Sequence, residues 1–152
     1  MNITSHESLL TATYAWIQHP SLHSKSVNLS RLLTSQYNAV LQTHPILLLP
    51  TTLHPASRFP APDSSPLDQL TNSTVGLLEN TCPFNLTGHP ALAVPMGLVK
   101  ARGADDGGGG EEGKQEVRVP CSFQVVGKWG DEVGVLRVGW EWEKEVGDWK
   151  KL

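Results

Sequence analysis

The sequence predicts an α/β fold, a mixed β-sheet covered by helices, with a core that this chain does not close by itself. Three observations carry that reading. A helical repeat of apolar residues leads into a short, wholly apolar run, Ile46–Leu49, which is the helix-then-buried-strand rhythm of α/β proteins. Strand-like stretches return at Ala91–Val94, Val117–Val119 and Phe123–Val126, ahead of a last helix. Charge is scarce: residues 1–100 hold four bases and four acids, while residues 101–152 hold eight and eleven. Charged residues are 18% of the 152-residue chain, against about 25% in an ordinary soluble domain. The first stretch carries too little charge to solvate a whole surface, so it reads as sequence covered by something else.

Residues 8–17 place Leu9, Leu10, Thr13, Tyr14 and Ile17 at helical spacing. His19-Pro20 stops that helix, because the residue before proline avoids the helical region. A second helix, capped at Ser26 or Asn28, carries Leu29, Leu32, Leu33, Tyr37, Val40 and Leu41, and His44-Pro45 ends it. Ile46–Leu49, bounded by Pro45 and Pro50, reads as a strand buried on both faces of a central parallel sheet. Five prolines between residues 50 and 66 leave no regular element there. Residues 67–80 read as a weak helix around Leu70, Val75, Leu77 and Leu78, and residues 80–90 as a loop shaped by Pro83, Gly88 and Pro90.

Residues 101–116, glycine-rich and acidic, read as a flexible, exposed loop in a hairpin-like connection. Gly127 closes the last strand. Asp131 caps the final helix, on which Val133, Leu136, Val138, Trp140 and Trp142 circle most of the surface. That helix is expected to be largely buried or held against a partner. Gly134 and Gly139 inside it each cost about 1 kcal/mol relative to alanine.

Several functions are excluded at this level. The net charge of −3 argues against a nucleic-acid partner. No apolar run approaches the ~18 residues of a membrane span. The opening residues lack a basic stretch followed by an apolar one, so the expected location is cytoplasmic. The sequons at Asn2, Asn28, Asn72 and Asn85 then read as chance matches. Cys82 and Cys121 read as two buried, reduced thiols. Gly108–Lys114 imitates a phosphate loop, but Gln115 stands where Ser or Thr belongs, and Asp105, Asp106, Glu111 and Glu112 would repel an anion. The six histidines show no helical metal-ligand pair, since Pro20 separates His19 from His23. No glycine-framed serine elbow is present.

Two segments carry a family resemblance. Asn80–Gly97 reads NTCPFNLTGHPALAVPMG, and Val119–Glu143 reads VPCSFQVVGKWGDEVGVLRVGWEWE. Both resemble, in order, the C-terminal part of the amidase signature family. Arg31–Thr52 (RLLTSQYNAVLQTHPILLLPTT) resembles the family's helix running into a buried strand that ends in Pro-Thr. The chain departs from the pattern at Pro45, Cys121 and Ser122, and the acidic glycine loop looks like an insertion.

The resemblance implies a partial amidase domain over residues 1–152, from a family that splits carboxamide C–N bonds through an acyl-enzyme without metal or organic cofactor. The family's Ser–Ser–Lys machinery comes from a Gly/Ser-rich segment that has no counterpart here, and Lys25, in Ser-Lys-Ser, lacks the family's glycine-flanked setting. No catalytic residue is carried over. Phe84, Asn85, Thr87 and His89 are the candidates for one wall of a substrate pocket. The competing reading is that Phe84 fills core while Asn85 and Thr87 satisfy backbone groups. The expected partners are a small-molecule amide, bound only when an N-terminal half completes the domain, and a second copy met through exposed apolar surface. The alternative function is a non-catalytic interaction module derived from an amidase.

Overall fold

A computed structural model describes residues 3–56, 63–67, 77–101 and 117–151. Helices α1 (Ile3–Gln18) and α2 (Ser21–Thr43) lead into strand β1 (Ile46–Pro50). A short helix α3 (Cys82–Thr87) precedes strands β2 (Ala91–Lys100) and β3 (Arg118–Gly127), then helix α4 (Glu132–Val146) and a 3₁₀ turn, Trp149–Lys151.

The proline stops act as expected. α1 ends at Gln18 before His19-Pro20, and α2 ends at Thr43, with the His44 amide donating back to the Val40 carbonyl at 2.9 Å. The caps expected at Ser26 or Asn28 do not form, because α2 starts at Ser21, a turn earlier. Inside the helix, the Ser26 hydroxyl donates to the Leu22 carbonyl instead.

Among the described residues the sheet has three strands in the order β1-β3-β2, and both pairings are antiparallel. This corrects the mixed sheet and the central parallel strand expected at Ile46–Leu49. β1 is an outer strand, and Leu48 at its centre is 62% exposed. An apolar run marks a strand made for a dry setting. It does not say which element dries it. β2 also runs past the expected Val94 to Lys100, and the stretches expected at Val117–Val119 and Phe123–Val126 fall, except for Val117, on one strand. That strand continues through Pro120, which pairs with Leu98. A bulge at Met96, between Pro95 and Gly97, absorbs the irregularity.

Helix α4 packs on one sheet face. Asp131 caps it as expected, its carboxylate accepting from the Gly134 amide at 3.1 Å. Val135 joins Val94 and Val125 in the core, flanked by Ile46, Leu92, Phe123, Val138 and Trp142. The opposite face of α4 is open rather than buried: Val133, Leu136 and Trp140 are 77%, 59% and 63% exposed. Cys82 is exposed and Cys121 half-buried, both free, so the expectation of two buried thiols is corrected. Ala101 and Val117 close the β2–β3 connection with a backbone hydrogen bond of 2.9 Å. The glycine-rich loop between them lies outside the described residues, as do Leu70 and Val75 of the weak helix. No described helix is long and apolar enough to cross a membrane.

Candidate functional site

The segment expected to be a loop over residues 80–90 contains α3, a single turn and a half. Pro83 sits in its first turn, where the missing N–H is no loss. Gly88 ends it in the left-handed conformation (φ +74°), donating to the Phe84 carbonyl at 2.8 Å. Only glycine adopts that conformation without strain. Pro90 then accepts from the Gly127 amide at 3.0 Å, which starts the β2–β3 pairing. The family-like TGHP sequence is thus a helix stop joined directly to a sheet start.

Three of the four sequence-predicted site residues meet in one buried cluster. Phe84, Thr87 and His89 are all buried, whereas Asn85 faces solvent. His89 is held on both ring nitrogens: Nε2 lies 3.2 Å from Asn38 Oδ1, and Nδ1 lies 2.8 Å from the Thr87 hydroxyl. With the Asn38 oxygen accepting, Nε2 carries the proton and Nδ1 accepts from Thr87. The Tyr37 and Trp129 rings flank the imidazole with centroids 5.9 and 6.1 Å away. Trp129 also donates from Nε1 to the Thr87 carbonyl at 2.9 Å, and Tyr37 packs on Phe84 at 5.0 Å. Burial holds the His89 imidazole below its ordinary pKa. A neutral imidazole with both nitrogens engaged is a clasp between α2, α3 and the β3–α4 turn, and has no free lone pair for a proton transfer.

Sequence reasoning missed Tyr37, Asn38 and Trp129. The partners of Asn38 and Trp129 lie more than 40 positions away in the chain. The one local signal was Asn38, a polar residue beside the apolar stripe of Leu33, Tyr37 and Leu41.

A second feature went unseen in the sequence. An apolar groove of about 720 Å³ lies between β1 and α4, lined by Leu48, Met96, Phe123, Val138 and Trp142, with Glu141 and Glu145 at its rim. Phe123 and Trp142 meet edge to face at 4.9 Å, and the Trp142 indole donates to the Pro95 carbonyl at 2.9 Å. Lys25 is exposed on α2.

The amidase family model matches residues 6–136. The chain belongs to the amidase family. It is 34% identical over 122 residues to an uncharacterised protein from the nthA 5′ region of Rhodococcus erythropolis, covering 80% of this chain and 52% of that one. It is 30% identical over 140 residues to a glutamyl-tRNA(Gln) amidotransferase subunit from Methanosarcina acetivorans, covering 91% of this chain and 25% of the relative. It is 29% identical over 122 residues to the enantioselective amidase of Rhodococcus rhodochrous, covering 80% and 20%. The amidase chain thus spans between a fifth and about half the length of these curated relatives.

Proposed function

We propose that this chain is the C-terminal part of an amidase-type domain that hydrolyses carboxamide C–N bonds through an acyl-enzyme. It contributes sheet, a covering helix and one pocket wall, while the Ser–Ser–Lys machinery comes from a stretch outside this sequence. The supporting observation is the pairing of a family match over residues 6–136 with a span of one quarter of a 30% identical relative. In this reading the α3 turn is the wall. Asn85 is its outward side chain, and Phe84, Thr87 and His89 hold the backbone that presents it. The substrate is a small amide, bound in the cytoplasm by the completed domain. Alone, the chain is inactive and meets copies of itself through its uncovered apolar faces.

The second reading, a non-catalytic interaction module, is favoured by one observation: the outward stripe of Val133, Leu136 and Trp140 on α4. A chimera separates the two. In it, the chain replaces the 140 matched residues of the Methanosarcina acetivorans protein. The amidase reading expects cooperative unfolding above the midpoint of the isolated chain, with amide hydrolysis restored. A chimera that does not fold contradicts it.

A further inference from the structure

We infer that Thr51, Ser122 and Gln124 form a polar corner that binds a neutral hydrogen-bonding group of the substrate, so that the completed domain selects amides carrying a second neutral polar group over hydrocarbon ones. The inference rests on the reading of this chain as part of an amidase domain.

The corner lies at one end of the sheet, on the face away from α4. Phe123 and Val125 pack beneath that helix. Side chains alternate along a strand, so Ser122 and Gln124 point to the other face. Leu49 pairs with Gln124 in the β1–β3 register, and Thr51, one residue past the last registered pair, stands opposite Ser122. The neighbours on this face, Leu47, Leu49 and Val126, are apolar. The polar groups are confined to the end where β1 leaves the sheet, and loops leaving sheet ends line sites in α/β proteins.

The hydroxyl pair is not needed to join the strands. The Thr51 amide already donates to the Ser122 carbonyl at 3.1 Å, and the Ser122 hydroxyl adds a second link to Thr51 Oγ1 at 2.9 Å. Two hydroxyls that share one hydrogen bond keep one proton and several lone pairs to offer. Neither hydroxyl has a further partner among the described residues, and both residues are only half-buried. Ser122 is also a position where the chain departs from the family pattern, so the hydroxyl pair is a feature of this chain.

Gln124 supplies an acceptor. It is 3% exposed, and its Nε2 donates to the Asn80 carbonyl at 2.6 Å. Its Oε1 accepts from nothing among the described residues. No buried polar side-chain atom of those residues lacks a partner, so Oε1 is one of the few atoms of this side chain that reach the surface. Asn80 ties the corner to the proposed pocket wall. It stands two residues ahead of α3, and its Nδ2 donates to the Pro50 carbonyl, beside Thr51, at 2.8 Å. One residue thus holds both the corner and the start of the wall.

The chemistry of the corner sets what it takes. A hydroxyl proton, hydroxyl lone pairs and a carboxamide oxygen match a group that both donates and accepts, such as a primary carboxamide or a hydroxyl. No lysine, arginine, aspartate or glutamate belongs to the hydrogen-bonded set, so a charged group would be desolvated there without a counter-charge. A hydrocarbon group would strip water from Gln124 Oε1 and the two hydroxyls and return no hydrogen bond. Water alone in the corner would leave both kinds of amide equally good substrates.

The test uses the chimera described above and two amides of matched shape, succinamide and isocaproamide, in which an isopropyl group replaces the second carboxamide. The constants kcat and KM are measured for the native chimera and for Ser122→Ala, Thr51→Val and Ser122→Thr. Gln124 is left in place, because its substitution would also free Asn80. The native chimera is expected to favour succinamide. Ser122→Ala and Thr51→Val should each lower kcat/KM for succinamide about tenfold, mainly through KM, and lower it less for isocaproamide. Ser122→Thr keeps a hydroxyl and should keep the preference. An equal loss on both amides, a loss on neither, or a native chimera without a preference overturns the corner and leaves the amidase reading standing. A chimera that hydrolyses neither amide overturns both.

Discussion

Gly127 meets Val135 where helix α4 packs on the sheet, and a Cβ added at Gly127 would stand 2.6 Å from Val135 Cγ2. Val135 is stiff at its Cβ and fixed between Val94 and Val125, so it has little room to yield. Gly127→Ala is expected to destabilise the chain by about 1–3 kcal/mol, the usual cost of overpacking. Thermal unfolding checks this. Val135→Ala in the same chain should return part of the loss, which a double-mutant cycle reads as coupling. Additive single effects would contradict the contact.

Asp131 is a cap with one clear partner, the Gly134 amide. Asp131→Ala should cost about 1 kcal/mol, and Asp131→Ser should recover most of it. Urea midpoints for the three proteins check the order.

His89 predicts a pH dependence. Its folded pKa is lowered by burial, so between that value and the ordinary one the unfolded chain binds more protons than the folded chain. Stability from this group is therefore complete above about pH 6.5 and is lost as pH falls below it. Denaturation midpoints measured from pH 8 to pH 5 should fall more steeply for the native chain than for His89→Gln. Parallel curves would remove His89 as the cause.

Trp140 and Trp142 have opposite surroundings on one helix. Trp142 is held by Pro95 and Phe123, while Trp140 stands 63% exposed. Trp140→Ser should therefore reduce hydrophobic-dye binding and self-association at micromolar concentration without lowering the unfolding midpoint, whereas Trp142→Ser should lower the midpoint. A dye-silent, monodisperse native chain would contradict the uncovered apolar stripe.

What could be read from the sequence was what depends on neighbours in the chain. The stops at His19-Pro20 and His44-Pro45, the cap at Asp131 and the hairpin-like return from β2 to β3 are local chemistry. The helix at Cys82–Thr87 was hidden because proline and glycine mark loops, although here they are its first turn and its end. The place of β1 was hidden for another reason. Leu47, Leu48 and Leu49 say that the strand belongs in a dry setting, and only the pairing with β3 shows which face and edge stay open. The clasp on His89 depends on Asn38 and Trp129, which no spacing rule connects to it. Of the predicted wall, the burial of Phe84, Thr87 and His89 matches the core-filling reading for Phe84, and Asn85 alone faces outward.

The most direct test of the central claim is an amide-hydrolysis assay on the purified chain. A serine can attack an amide only with a base in hydrogen-bond reach and oxyanion donors already in place. Here the lysine flanked by serines, Lys25, is exposed on α2, and Ser26 is spent on the Leu22 carbonyl. The account predicts no turnover above background on aliphatic or aromatic amides. Turnover that survives repurification and disappears on substitution of a single serine or lysine of this chain would contradict it.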